Sequence, residues 1–164
     1  MTLRPAVCVA IALLTASAAH AQVRRPTPKL LTDVVSDRVR AGAPAHVRLK
    51  VVHPSGFHVQ SDKPRDPALI ATALTLTPPV GISVVRTTYP KSTDLAQPGR
   101  GEPLAVFSGT FVIDVEIALA RSVSPGTIDI PGELRYQSCT DQICFPPARD
   151  AVRWRLTVNP PRAR

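Results

Sequence analysis

The stretch that decides the fold is Thr110-Phe111-Val112-Ile113-Asp114-Val115-Glu116-Ile117-Ala118-Leu119. Every odd-numbered position in it is apolar, whereas Thr110, Asp114 and Glu116 occupy even-numbered positions. An alternation of period two places one set of side chains on each face of a β-strand. The stretch therefore predicts a long strand with one buried face.

The same alternation recurs on both sides of this stretch. It is clear from Ala45 to Val51 and again from Val152 to Val158, and weaker apolar runs lie at 74–76, 81–86, 127–130 and 133–137. Proline and glycine separate these segments, and 18 prolines in 164 residues argue against long helices. About seven short strands of this kind predict an all-β, antiparallel sandwich.

Two connecting segments stand out between the predicted strands. The stretch from Tyr89 to Pro103 is poor in apolar residues and contains two prolines and two glycines before Pro103, so it predicts an exposed loop. Loops of this length in a compact domain are often functional. A short turn of helix is expected at 66–70.

The N-terminus predicts a cleaved signal peptide. Arg4 supplies a positive start, residues 6–14 form a short apolar run, and Ala19-His20-Ala21 fits a cleavage site after Ala21. The run is too short for a permanent membrane helix, although an uncleaved anchor is the competing interpretation. We expect a periplasmic or secreted protein with these parts: 1–21 signal peptide, 22–30 disordered Pro/Arg-rich leader, 31–159 β-sandwich domain, 160–164 basic tail.

The positive charge is concentrated near the ends of the chain. The formal net charge is +8, and removal of Arg4 leaves 19 basic against 12 acidic residues, or +7. Five of those basic residues lie near the termini: Arg24, Arg25, Lys29, Arg162 and Arg164. Export and the lack of an aromatic-basic platform argue against nucleic-acid binding. A weak attraction to anionic membrane or cell-wall surfaces is compatible with this pattern.

The residues that carry chemistry lie between Tyr136 and Pro147. Loss of Cys8 with the signal peptide leaves Cys139 and Cys144, four residues apart, in a compartment where disulfides persist. Closing so short a loop stabilises a fold by only about 2 kcal/mol, against about 4.7 for a loop of a hundred residues. The pair is therefore either a structural staple or a redox couple. Two thiols without further ligands argue against a zinc site.

Neighbouring residues are expected to modify the chemistry of the pair. Asp141 lies between the cysteines, and its carboxylate should disfavour a thiolate and keep the reduced pair protonated. Alkylation rates of the reduced cysteines near neutral pH test this, and rapid alkylation would count against it. Phe145 is expected either to cover the sulfurs or to pack in the core.

The segment from Tyr136 to Pro147 resembles the active-site stretch of the N-terminal periplasmic domain of the DsbD family of thiol:disulfide interchange proteins. The shared pattern is Tyr-Gln-x-Cys, then Cys-aromatic-Pro-Pro. Further blocks follow in the family's order: Gly56 to Pro64, Asp66 to Ile70, Tyr89 to Lys91 and the strand around Phe111. The resemblance covers about Asp33 to Val158.

This resemblance implies an immunoglobulin-like sandwich with the cysteines at one end, under a cap loop. It implies that Cys144 forms the mixed disulfide with a partner and that Cys139 resolves it. It places the cap at Tyr89 to Pro103 and His58 close to the cysteines, with a surface histidine as the alternative. The cap segment has no aromatic between Tyr89 and Phe107, so one of these two is expected to act as the cap aromatic.

The sequence thus predicts a thiol-disulfide oxidoreductase module, a protein-disulfide reductase without a bound cofactor. The expected partners are exported thioredoxin-like proteins, disulfide isomerases and proteins of cytochrome c maturation. Family proteins continue into a membrane domain and a thioredoxin-like domain, which do not follow here, so a separate membrane reductase is a possible electron source. The alternative is an exported immunoglobulin-like binding or assembly module whose disulfide is purely structural.

Overall fold

The computed structural model describes residues 24–99 and 101–162, and the regular structure in this part of the chain is entirely β. The predicted signal peptide, residues 1–21, and Cys8 lie outside the described residues. Among those described, no helix is long and apolar enough to span a bilayer. The strands are β1 (Lys29–Val34), β2 (Val39–Arg40), β3 (Pro44–Val52), β4 (His58–Gln60), β5 (Ala73–Leu76), β6 (Ile82–Thr88), β7 (Thr93–Leu95), β8 (Leu104–Ser108), β9 (Thr110–Leu119), β10 (Gly126–Tyr136), β11 (Ser138–Cys139) and β12 (Ala148–Asn159).

These strands form two larger sheets and one small one. The larger sheets have the orders β1-β3-β9-β6 and β2-β12-β10-β5, and the small sheet has the order β11-β4-β8-β7. All pairs are antiparallel except β2 with β12. The Trp154 indole on β12 donates a 2.8 Å hydrogen bond to the Arg48 carbonyl on β3, which links the two larger sheets. The predicted immunoglobulin-like sandwich is confirmed.

The alternating stretches supply the core. In β9 all five odd-numbered side chains are buried, and the same holds for the apolar set of β3 and for Val152 to Val158 in β12. The polar set on each strand faces outward, where Arg48 pairs with Asp114 across β3 and β9. Burial of one face of each sheet against the other fixes the register of these strands, because a shift by one residue would expose the whole apolar set.

One pair of predicted runs is a single strand. Residues 127–130 and 133–137 were separated in the sequence by Pro131 and Gly132, yet β10 continues through both. The Pro131 carbonyl accepts a 2.9 Å hydrogen bond from the Thr77 amide. A Cβ on Gly132 would lie 2.9 Å from the Thr75 carbonyl oxygen, so glycine allows the close approach of β5.

The structure differs from the sequence-based expectation in two connecting segments and in the segment that precedes β1. The predicted exposed loop at 89–103 contains strand β7, which pairs with β8. The predicted turn of helix at 66–70 is a single turn closed by the Leu69 amide and the Asp66 carbonyl. In the predicted disordered leader, Pro26 and Pro28 are buried and β1 already begins at Lys29. These short packed segments carry no periodic apolar pattern from which the sequence could predict them.

Candidate functional site

Cys139 and Cys144 are joined by a disulfide across a tight hairpin. The Phe145 amide donates to the Ser138 carbonyl at 2.9 Å, and the Thr140 amide donates to the Ile143 carbonyl at 2.8 Å. The cysteines lie between these two bonds, with their Cα atoms 4.0 Å apart. Residues opposite each other in a non-hydrogen-bonded antiparallel pair approach most closely, to about 4.5 Å. The hairpin register therefore brings the two sulfurs together.

A threonine hydroxyl shapes the turn between the cysteines. Thr140 Oγ1 accepts hydrogen bonds from the amides of Gln142 and Ile143, at 3.2 and 3.1 Å. The side chain thus satisfies backbone donors that the turn would otherwise leave to water. Asp141 and Gln142 form the tip and are exposed.

The two cysteines differ sharply in exposure. Cys139 is 0% exposed, whereas Cys144, on the outgoing arm of the hairpin, is exposed. Cys139 belongs to β11, which pairs with β4 in the small sheet, so its neighbours cover it. Of the two cysteines, Cys144 is therefore the one accessible to a thiol of another molecule.

His58 lies directly opposite Cys139 in the β4–β11 ladder. The side chain is buried, and its Nε2 atom has no hydrogen-bond partner among the described residues. Burial lowers the pKa of His58, and the negative charge of Asp141 opposes this shift without cancelling it. The structure places the predicted site residues His58 and Asp141 together next to the disulfide.

His53 is a neighbour of the site that the sequence did not single out. Its Nε2 atom lies 3.0 Å from the Ser138 hydroxyl, one residue before Cys139. Burial lowers the pKa of His53; a hydrogen bond with the backbone of Pro54 opposes the shift, and nearby His58 adds to it. The available signal was its position two residues after the predicted strand that ends at Val51, which does not by itself indicate a contact 85 residues away.

Phe145 and Tyr136 are both buried beside the hairpin. The Phe145 ring packs against Phe57, with ring centroids 6.1 Å apart, and Phe57 packs in turn against His53 at 6.2 Å. The Tyr136 hydroxyl donates a 2.7 Å hydrogen bond to the Asp150 carboxylate. Burial and, second, this bond raise the pKa of Tyr136 well above its ordinary value. Tyr136 therefore anchors the end of β10 to β12 as a neutral phenol.

A shallow cavity of about 240 Å³ lies beside the tip of the hairpin. Its lining includes Asp141, His58 and Phe57 on one side and Thr93 to Leu95 of β7 on the other. Arg65 holds β7 in place, because its guanidinium contacts the Asp94 carboxylate and the Pro103 carbonyl, each at 2.6 Å. The part of the expected cap that reaches this cavity is thus strand β7.

The two expected cap aromatics lie elsewhere. Tyr89 and Phe107 stack on each other with ring centroids 6.5 Å apart, and the Tyr89 hydroxyl accepts a hydrogen bond from the Leu74 amide. Neither lines the cavity beside Asp141; the aromatic ring there is Phe57. Phe57 was part of a block quoted in the sequence, but nothing in the sequence indicated that its ring would reach this cavity.

Comparison with known proteins agrees with this arrangement of fold and cysteines. The family model described as the N-terminal part of the thiol:disulfide interchange protein DsbD matches residues 30–155. No curated protein matches the chain. The matched region contains the whole disulfide hairpin, β4, β7 and both larger sheets except the ends of β1 and β12. The chain therefore belongs to the family of the N-terminal domain of the thiol:disulfide interchange protein DsbD.

Proposed function

We propose that this chain is an exported thiol-disulfide interchange domain that relays electrons between other proteins through Cys139 and Cys144. The observation that carries the proposal is the unequal exposure of a bonded pair. Cys144 is open to a foreign thiol, whereas Cys139 is buried. A relay needs one sulfur that exchanges with partners and one that is protected until it resolves the mixed disulfide.

The exchange proceeds in two half-reactions. A donor thiolate attacks Cys144 Sγ, the bond between Cys144 and Cys139 breaks, and Cys139 leaves as a thiolate. A second donor thiol then displaces Cys144, so the donor ends as a disulfide and the domain as a dithiol. In the second half-reaction, the Cys144 thiolate of the reduced domain attacks the disulfide of an acceptor. Cys139 then attacks Cys144 Sγ, which restores the internal disulfide and releases the acceptor as a dithiol.

The proposed partners are exported redox proteins. A thioredoxin-like protein, or a separate membrane reductase, would supply electrons. Disulfide isomerases and thioredoxin-like proteins of cytochrome c maturation would receive them. The proposed location is the periplasm, with export by the N-terminal signal peptide. Membership of the family supports a role in thiol:disulfide interchange, which the family's description names.

Trapping of mixed disulfides tests the proposal. In the Cys139→Ser variant, Cys144 still attacks a partner disulfide but nothing resolves the product, so covalent complexes should accumulate on non-reducing gels of an envelope extract. The matched control is Cys144→Ser, which keeps only the buried Cys139 and should trap nothing. Equal trapping by both variants would show that exposure does not select the attacking sulfur.

The reduction potential separates the relay from a structural disulfide. A relay should equilibrate with thioredoxin-like proteins, whose potentials lie roughly between −120 and −270 mV. A disulfide that only holds the hairpin in a binding module should lie below roughly −300 mV. A potential in the lower range, together with no trapped complex, would overturn the proposal in favour of the binding module.

A further inference from the structure

Four arginines converge on a second cavity, far from the disulfide. This cavity, of about 390 Å³, is lined by Arg38, Arg40, Arg121 and Arg162 together with residues 41–43 and Pro161. We call it the arginine pocket. Only Arg162 belongs to the terminal basic residues that the sequence indicated; the other three come from the body of the domain.

The fold builds the arginine pocket from three separate segments. Parallel pairing of β2 with the end of β12 brings Arg40 beside Asn159, and the Gly42 amide donates to the Ala120 carbonyl. Gly42 has a φ of +75°, and a Cβ there would lie 2.6 Å from Arg121 Cγ. Because glycine has no Cβ, the side chain of Arg121 passes directly over this turn, and Arg121 lines the cavity together with the other three arginines.

Among the described residues, no acidic side chain lines the pocket. Within residues 24–99 and 101–162, none of the four arginines forms an ion pair, whereas arginines on the sheet faces do: Arg48, Arg65, Arg86, Arg149, Arg153 and Arg155. Guanidinium groups that converge without a carboxylate repel one another and favour a bound anion. Their planar forks match the oxygens of a phosphate group.

The pocket and the disulfide lie at opposite ends of the sandwich. Strand β3 begins at Pro44, next to the pocket, and ends at Val52, after which His53 contacts Ser138 beside Cys139. Eight steps along a strand span about 26 Å. An anionic surface bound at the arginine pocket would therefore leave Cys144 facing away from it.

We propose that the arginine pocket binds the phosphate groups of anionic lipids, so that the domain associates with a membrane surface with its disulfide end directed outward. Three features support a lipid surface over free phosphate. All of the arginines except Arg40 are exposed, they lie at the end of the sandwich opposite the disulfide, and four basic residues are the lower limit of the cluster size that marks attraction to anionic lipids.

Sedimentation with vesicles tests this proposal. The chain without residues 1–21, the predicted signal peptide, is mixed with phosphatidylcholine vesicles or with vesicles containing about 30% phosphatidylglycerol. We expect binding to the anionic vesicles only, with loss at high salt because exposed charges are screened. Arg38→Ala/Arg121→Ala should weaken binding roughly tenfold or more, since each basic residue near an anionic surface contributes substantially.

Matched variants keep the result interpretable. Lys29→Ala/Lys50→Ala removes the same charge elsewhere and should leave most of the binding intact. Arg38→Lys/Arg121→Lys retains the charge but not the fork, and should restore binding only in part. If Arg38→Ala/Arg121→Ala and Lys29→Ala/Lys50→Ala lose vesicle binding equally, the proposal of a specific site at the arginine pocket is wrong and binding depends only on net charge.

Two further readouts test the ligand and the orientation. Inorganic phosphate without vesicles is titrated while the arginine Nε–H signals are followed by NMR. Tight binding of free phosphate with no binding to vesicles would overturn the proposal that the ligand is a lipid surface.

Reduction of the disulfide by dithiothreitol tests the orientation, and it should proceed at the same rate with and without anionic vesicles. Protection by the vesicles would overturn the outward orientation. Neither readout depends on whether the domain relays electrons.

Discussion

Two buried histidines flank the short strand that carries Cys139. His58 lies opposite Cys139 in the ladder, and His53 contacts the Ser138 hydroxyl. The pKa of each is lowered, chiefly by burial, so both imidazoles are neutral at pH 7. Protonation of either histidine would place a buried positive charge next to the disulfide hairpin, and this burial costs free energy in the folded state.

This arrangement predicts a stability that falls in mildly acidic solution. The unfolded chain binds protons at the ordinary histidine pKa of about 6.5, whereas the folded chain binds them only at lower pH. The free energy of unfolding should therefore be highest above pH 6.5 and decrease as the pH falls through and below that value. Urea denaturation at pH 7.5 and 5.5 measures the decrease. It should be smaller in His53→Gln/His58→Gln and unchanged in His46→Gln, which alters an exposed imidazole. An undiminished decrease in the double variant would exclude the buried pair as its source.

At the scale of elements, the hairpin between β11 and Phe145 sets the geometry of the disulfide. Two backbone hydrogen bonds flank the cysteines, and the Thr140 hydroxyl accepts from two amides of the turn. We therefore expect the turn to hold Cys144 opposite Cys139 when the disulfide is reduced. Two thiols that are already held close together favour the oxidised form, because little conformational entropy is lost when the internal disulfide forms.

Removal of this hydroxyl should make the disulfide easier to reduce. Thr140→Ala leaves two amides without their acceptor, so we expect a loss of roughly 1 kcal/mol in the free energy of unfolding. We also expect a higher reduction potential, measured by equilibration with glutathione. Thr140→Ser keeps the hydroxyl and is the matched control. If serine and alanine shift the potential equally, the hydroxyl does not maintain the hairpin.

The elements that the sequence could predict are those with one buried face. Strands β3, β9 and β12 alternate clearly; β3 and β9 were predicted with nearly their observed bounds, whereas β12 begins at Ala148, four residues before the predicted run. By contrast, β4 is buried at all three positions, and the first four residues of β8 are buried as well. A strand covered on both faces has no alternation, so periodicity could not reveal the small sheet in which Cys139 lies.

At the scale of the whole molecule, the sandwich core is separate from the disulfide. The hydrophobic core cluster is built mainly from both larger sheets, with Val59 and Phe107 added from the small sheet, and the Trp154 indole joins the larger sheets through the Arg48 carbonyl. Neither cysteine belongs to this cluster. The disulfide closes only a short hairpin at one end, so it constrains the unfolded chain very little.

The fold should therefore survive without its disulfide. We expect Cys139→Ala/Cys144→Ala to lose only about 2 kcal/mol in the free energy of unfolding and to unfold in one cooperative transition. Urea denaturation followed by circular dichroism measures both, and the oxidised and reduced wild-type chains serve as comparison. A variant that no longer unfolds cooperatively would show that the bond is a structural staple and would count against the relay.

The sequence by itself determined the all-β class, the long alternating strands and the cysteine pair, because these depend on residues close together in the chain. Only the tertiary structure decided that Cys139 is buried while Cys144 is exposed, that His53 and His58 lie beneath the hairpin, and that four arginines converge at the opposite end. Burial and convergence depend on which distant segments pack together. That packing is set by the pairing of whole strands, which no local pattern contains.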